Sequence, residues 1–275
     1  MNPRCIPVDG QTVDSRPNDA ALLCTQNKLA LVIPTVREAG NIRVLLDRAC
    51  KVLEREGADY EIIVVDDESP DGTAEIVTAI AENNSRVRLI VRKGQKGLAG
   101  AVLHGWRHSD AAILGAMDAD LQHPPELLPE LASAIFSGAD LAIASRYTPS
   151  DRLVRWSPLR RLLSAAAIWV AAPIQRAEIR ARDSMSGYFF VRRECLDGIA
   201  FQPEGFKLLL EILVRARIRS IKEIPFEFGQ RRCGTSKANL KVASDYARLL
   251  ARLYRERFAL PRARSIVSLG RQEAD

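Results

Sequence analysis

The chain is short of the residues on which many catalytic and structural sites are built. Its 275 residues include three histidines and five cysteines, and no two cysteines stand in a CxxC pair. Neither a disulfide framework nor a thiolate zinc site is indicated, and free thiols in a reducing compartment are the simplest reading. Long apolar runs are missing too. The longest, Leu162 to Ile174, is 13 residues and contains Pro173, against roughly 20 residues for a bilayer span. No G-x-G-x-x-G follows the first apolar segment, where the turn reads "PTVREAGN", which excludes a dinucleotide fingerprint. The first 28 residues hold no continuous apolar stretch of the kind a secretory leader needs, and are expected to form a loose tail.

What is present is basic charge, and it is localised. Lys and Arg total 40 against 34 Asp and Glu, a formal +6. Between Arg146 and Arg182, eight arginines face only Asp151 and Glu178, so this stretch alone carries the excess. Such a cluster points to an anionic partner. From residue 155 to 182 the arginines bracket an aliphatic run with Trp156 and Trp169. That pattern fits an interfacial helical segment, apolar face toward acyl chains and arginines on headgroups. A helix hairpin packed on a sheet or against a second copy fits it too. Nucleic acid is disfavoured, because aliphatic residues and not base-stacking aromatics separate the charges.

From Leu29 onward, short apolar runs alternate with amphipathic stretches. "LALVI", "EIIVV", "VRLIV", "AAILGAM" and "ADLAIAS" read as strands. Between them, spacings such as Ile42, Leu45, Leu46, Ala49, Val52 and Leu53 read as helices. The expected fold is α/β, a mostly parallel sheet flanked by helices, in one domain over 29–258 with a tail at 259–275. After Arg146 a basic helical stretch (158–180), a strand in "SGYFFVRR", a helix in "GFKLLLEILVRAR", one or two strands in "SIKEIPFEF" and a last helix from about Ala238 to Phe258 are expected. Glu38, Asp66, Asp67, Asp118, Asp120 and Arg146 each follow an apolar run, which puts them at the carboxyl ends of strands, where ligands sit in such sheets.

"MDADLQHPPELLPEL" (117–131) concentrates the chemistry. Asp118 and Asp120 can place oxygens on one hard cation, Mg2+ or Mn2+, with the Gln122 amide as a third ligand and open positions left for phosphate oxygens. The competing reading makes Asp120 or His123 the N-cap of a proline-led helix. An aspartyl phosphatase is excluded by placement: its D-x-D-x-T belongs on the first strand, and Gln122 stands at the threonine position. His104 and His108 in "HGWRH" lack a third ligand and read as helix surface.

Taken together, "VIPTVREAGNI", "IIVVDDESPDGTAEI", "MDADLQHPPELLPEL", "ASRY", "DSMSGYFFVRRE", "GFKLLLEILVRA" and "FEFGQRRCGTSKANL" resemble, in this order, the polyprenyl-phosphate (dolichyl-phosphate) mannosyltransferases. These are inverting family 2 glycosyltransferases with the GT-A fold. The resemblance implies that Pro34, Val36, Glu38, Val64, Asp66 and Ala119 contact the nucleotide sugar, Asp66 at the base. It implies that Asp118, Asp120 and Gln122 hold the metal and diphosphate. Arg146, Lys207 and Arg231 would serve the phosphates and the acceptor, with Asp120 also in the catalytic set, and Asp183 and Ser186 would form the floor. Val36 stands where the family often has tyrosine, and Ser184 replaces the proline of "DPMSG".

The implied reaction moves mannose from GDP-mannose to a polyprenyl phosphate. A UDP-sugar such as UDP-glucose, a saccharide acceptor, or a non-catalytic nucleotide-sugar-binding scaffold are the alternatives. An ionised phosphate nucleophile needs no general base, and arginines supply planar donors matched to phosphate oxygens. The expected setting is the cytoplasmic face of a membrane, as a peripheral enzyme aided by an anchoring partner protein.

Overall fold

The apolar runs are continuous, not alternating, because the strands are covered on both faces. In β1 (Leu29–Thr35), Leu29, Leu31 and Ile33 join one core cluster, while Ala30 and Val32 join a second on the opposite side of the sheet. The structure is a computed structural model that describes residues 28–94, 96–147, 169–175, 179–202, 207–227 and 240–258. Apart from Lys28, the expected tails fall outside these residues, as does most of 155–182.

In chain order β1 is followed by α1 (Ala39–Arg55), β2 (Tyr60–Asp66), α2 (Thr73–Ala81), β3 (Val87–Val91), α3 (Leu98–Arg107) and β4 (Ile113–Ala116). A 3-10 turn, Pro125–Leu127, leads into α4 (Leu128–Phe136), then β5 (Leu141–Ser145), β6 (Phe189–Arg192), α5 (Leu208–Arg215), β7 (Ile221–Pro225) and α6 (Leu240–Phe258). Of the α1 side chains expected to face inward, Ile42, Leu45, Leu46, Ala49 and Leu53 are buried, while Val52 is only partly buried against the same core.

The sheet order is β3-β2-β1-β4-β6-β5-β7. The chain builds outward from β1 to β3 and then crosses to β4 on the other side. The carboxyl ends of β1 and β4 therefore flank a switch point, the position where α/β sheets bind ligands. The strand read in "SGYFFVRR" forms as β6, but it runs antiparallel to both β4 and β5. Its direction was not readable, because a doubly buried run carries no polarity. With Phe189 opposite Ala116 and Arg192 opposite Ile113, β6 begins at the mouth where β4 ends. Its register is fixed by a close fit: a Cβ on Gly115 would stand 2.2 Å from the Phe190 ring. The Gly115 carbonyl in turn accepts a hydrogen bond from Trp106 Nε1 at 2.9 Å.

Candidate active site

The run "DDESPDGT" after β2 ties the mouth together. Asp66 is fully enclosed. Thr35 Oγ1 donates to its Oδ1 at 2.8 Å, and Ser69 donates its N–H to Oδ2 at 2.7 Å and its hydroxyl to Oδ1 at 2.5 Å. Asp66 is thus an internal brace between the tips of β1 and β2, and any contact with a base would have to share or displace these donors. Asp67 and Arg92 form an almost fully buried bidentate pair, both arms at 2.8 Å, and Asp67 Oδ2 also accepts the Gly97 N–H at 2.9 Å. Glu68 Oε2 accepts the Gly94 N–H at 2.7 Å. Asp71 accepts the Ala39 N–H at 3.1 Å and the Thr73 hydroxyl at 2.6 Å, and that hydroxyl accepts the Glu38 N–H at 3.0 Å. Burial works against ionising Asp71, but the Thr73 hydroxyl and the N–H groups of Ala39 and Thr73 outweigh it, so the carboxyl titrates below its ordinary value.

Three non-glycine residues take left-handed backbone among the described residues: Arg37 (φ 60°), Glu68 (φ 52°) and Leu121 (φ 62°). They follow β1, β2 and β4, so the strained backbone is collected at the mouth. Arg37 is held there by its N–H, which donates to Ser69 Oγ at 2.8 Å.

Asp118 to His123 fold into a turn directly after β4. Asp120 Oδ1 accepts the Gln122 N–H at 3.1 Å. No side chain caps the 3-10 turn or α4, so the N-cap reading of Asp120 and His123 is corrected: prolines open this segment, and the carboxylates turn elsewhere. His123 lies beneath the turn, 3% exposed. Its Nδ1 accepts the Asp118 N–H at 3.3 Å and stands 3.7 Å from Asp118 Oδ2. Its ring lies 5.2 Å from that of Tyr188 and 5.7 Å from that of Phe226. Burial lowers the His123 pKa, against the pull of Asp118 and Asp120, and favours the neutral ring. Burial likewise raises the pKa of Asp118, and neighbouring Asp120 adds to this, while His123, Lys207 and Arg146 oppose it. Asp118 Oδ1 is buried and accepts no hydrogen bond.

The basic side meets this acidic turn. Arg146 directs Nε and Nη2 at the two oxygens of Asp183, each at 2.8 Å, and its N–H at Asp183 Oδ2 at 3.0 Å. Asp183 is itself fully enclosed, its N–H donating to Glu223 Oε1 at 2.9 Å. Lys207 is the partly buried residue just before α5. Burial and then the charge of Arg146 lower its pKa, while Asp118 and Asp183 raise it. The charges of Arg146, Asp118 and Asp183 therefore all act on Lys207.

Of the expected donor contacts, Pro34, Val36 and Glu38 are partly exposed at the end of β1. Val64 has no exposed surface and belongs to the core, which corrects its expected role as a contact. Ala119 is 4% exposed with its side chain in the same core, leaving its backbone at the turn. Ser186 Oγ is engaged with the backbone of Tyr188, and the Ser184 hydroxyl is buried without a hydrogen-bond partner. Arg231 lies outside the described residues. Among the described residues no group of three or more His, Cys, Asp or Glu could hold a metal ion; the His104 and His108 rings lie 4.4 Å apart, tilted by 42°. The sequence reading passed over the Asp67–Arg92 pair, the Asp71 brace and Gly187, although "DDESPDGT" and "SMSG" contained the signal.

The family model for glycosyl transferase family 2 matches residues 30–210. The chain is 40% identical over 227 residues to a dolichol-phosphate mannosyltransferase of Pyrococcus furiosus, an alignment covering 82% of this chain and 63% of the relative. It thus spans less than two thirds of that relative's length. A dolichol-phosphate mannosyltransferase of Mycosarcoma maydis is 36% identical over 238 residues, 83% of this chain and 80% of the relative. Glucosyl-3-phosphoglycerate synthase of Mycobacterium tuberculosis, solved with Mn2+, uridine diphosphate and glucosyl-3-phosphoglycerate, superposes with a TM-score of 0.62 at 17% identity, over 93% of this chain and 88% of that one. That likeness is one of fold. The resemblance read from the seven motifs is the one these relatives carry in their names, and the chain belongs to glycosyl transferase family 2.

Proposed function

We propose that the chain transfers mannose, with inversion at C1, from GDP-mannose to a polyprenyl phosphate. The observation that carries this is that the Asp118 carboxylate lies against Gly187, four residues from the Asp183 that fixes the Arg146 guanidinium, at the β1/β4 switch point. A diphosphate donor and a phosphate acceptor both need cationic partners, and a turn with two aspartates needs a cation of its own. The names of the relatives support the mannosyl and lipid-phosphate assignment.

The residues present fit a divalent cation. Asp118 offers a buried oxygen without a hydrogen-bond partner, a costly arrangement unless an ion completes it. Asp118, Asp120 and Gln122 would hold it. With no third acidic or histidine ligand among the described residues, the remaining positions would go to diphosphate oxygens and water, the habit of Mg2+ and Mn2+. When bound, the cation offsets the charge gathering on the departing diphosphate. In the reaction, an acceptor phosphate oxygen bonds to C1 as the C1–O bond to the diphosphate breaks, its electron pair leaving on the diphosphate. The nucleophile is already ionised, so no side chain has to remove a proton. Asp183 fixes the Arg146 fork by two hydrogen bonds, which presents the guanidinium to phosphate at little ordering cost. Lys207 adds a second cation and Arg231 is assigned to the same task.

The acceptor places the enzyme at a membrane surface, on the cytoplasmic side and with an anchoring partner protein in our reading. No described helix is long and apolar enough to cross a membrane. Support comes from an exposed aromatic patch: Trp169 is 78% and Phe258 67% exposed, Tyr254 stacks on Phe258 at 5.9 Å, and the Tyr254 hydroxyl donates to the Val170 carbonyl at 2.6 Å. Exposed Arg255 and Arg257 stand on the same helix, the pairing that suits anionic headgroups.

The test supplies labelled GDP-mannose or UDP-glucose to the purified chain with polyprenyl phosphate and follows transfer into the lipid phase. Mannolipid formed from GDP-mannose is expected. Product from UDP-glucose alone would overturn the donor assignment, and no turnover from either would favour the scaffold reading.

A further inference from the structure

Asp118 lies between two features that the proposed chemistry does not itself require. On one side is His123, buried, with Nδ1 accepting the Asp118 N–H at 3.3 Å and its ring set against Tyr188 and Phe226. On the other is Gly187, at the start of the approach to β6. A Cβ there would stand 2.9 Å from Asp118 Oδ2, 3.1 Å from Oδ1 and 3.2 Å from the carboxyl carbon. The backbone of Gly187 is outside the left-handed region, so nothing in its conformation calls for glycine. Only the carboxylate does.

We infer that Gly187 and His123 are positioning residues for the cation: together they seat the Asp118 carboxylate, one by leaving space and the other by holding its backbone, so that the carboxylate keeps the place from which it would coordinate the ion. The inference rests on the metal reading above. The argument for Gly187 is steric. An added methyl meets the movable end of a side chain and not backbone, so the carboxylate gives way and the fold stays. A carboxylate displaced by even a fraction of an ångström loses its place in an octahedral shell, which tolerates little distortion. The argument for His123 is that groups holding a metal ligand typically change metal affinity 10–100-fold when removed. His123→Phe would keep a ring among Tyr188 and Phe226 and lose the acceptor. His123→Asn would restore an acceptor near the Nδ1 position.

The experiment titrates Mn2+ into the full chain with GDP present and reads free Mn2+ by electron paramagnetic resonance. It uses wild type, Gly187→Ala, His123→Phe and His123→Asn, with GDP affinity in EDTA and the thermal midpoint measured for each. Wild type is expected to bind Mn2+. Gly187→Ala and His123→Phe should weaken it about tenfold or more, His123→Asn less than His123→Phe, and metal-free GDP binding should not change. Wild-type Mn2+ affinity in both Gly187→Ala and His123→Phe overturns the inference while leaving the metal reading intact. No Mn2+ uptake by the wild type overturns the metal reading, and the inference falls with it.

Discussion

A guanidinium fixed by two hydrogen bonds to an enclosed aspartate cannot be exchanged for an ammonium without loss. Lysine at position 146 keeps the charge but cannot span both Asp183 oxygens. Arg146→Lys is expected to lower kcat by roughly 10²-fold, with a smaller change in donor KM, in steady-state assays. Asp120→Ala should lower kcat/KM by about 10³-fold or more, and raising Mn2+ should recover little. Arg37, in left-handed backbone at φ 60°, should respond in stability: Arg37→Asn is expected to gain about 0.5–1 kcal/mol in urea unfolding, since asparagine tolerates this region. Asp71 gives a pH-dependent case. Its folded pKa lies below the ordinary carboxylate value, so its contribution is present above that value and lost as pH falls through the folded one. The stability difference between wild type and Asp71→Asn should therefore be full at neutral pH and close in acid, as denaturant melts at stepped pH would read. These residues differ in how visible they were. Asp118, Asp120 and Arg146 stand out in the sequence because each ends an apolar run. That Asp66 would be enclosed, Val64 sealed in the core and His123 placed beneath the turn was hidden, since side-chain direction at a strand end depends on neighbours distant in sequence.

Elements were legible where periodicity was strong. The doubly covered strands β1, β2 and β4 read as unbroken apolar runs, and α1 showed its inward stripe. Leu45 on that stripe has no exposed surface, and Leu45→Ala should cost roughly 2–5 kcal/mol in equilibrium unfolding. What failed to show was direction. "YFFV" has the same apolar character read either way, so the antiparallel course of β6 came only from its pairing with Ala116 and Ile143. The proline-led segment before α4 also misled, because caps and prolines both announce a helix start while only one of them engages a carboxylate.

Across the whole molecule, the two halves of the sequence converge on one rim. The first half supplies the parallel strands whose tips carry Asp66 and Asp118. The second supplies Asp183, Gly187 and Lys207, and it reaches the same rim only because β6 enters the sheet in the reverse sense. How far that strand is pushed toward the rim depends on the Phe190 ring, which lies where Gly115 has no side chain. A methyl at 115 would act as a stop on a sliding bolt. With the ring lifted, residues 186 and 187 would arrive at a different depth beside the aspartates, and a packing change well inside the sheet would be felt at its mouth.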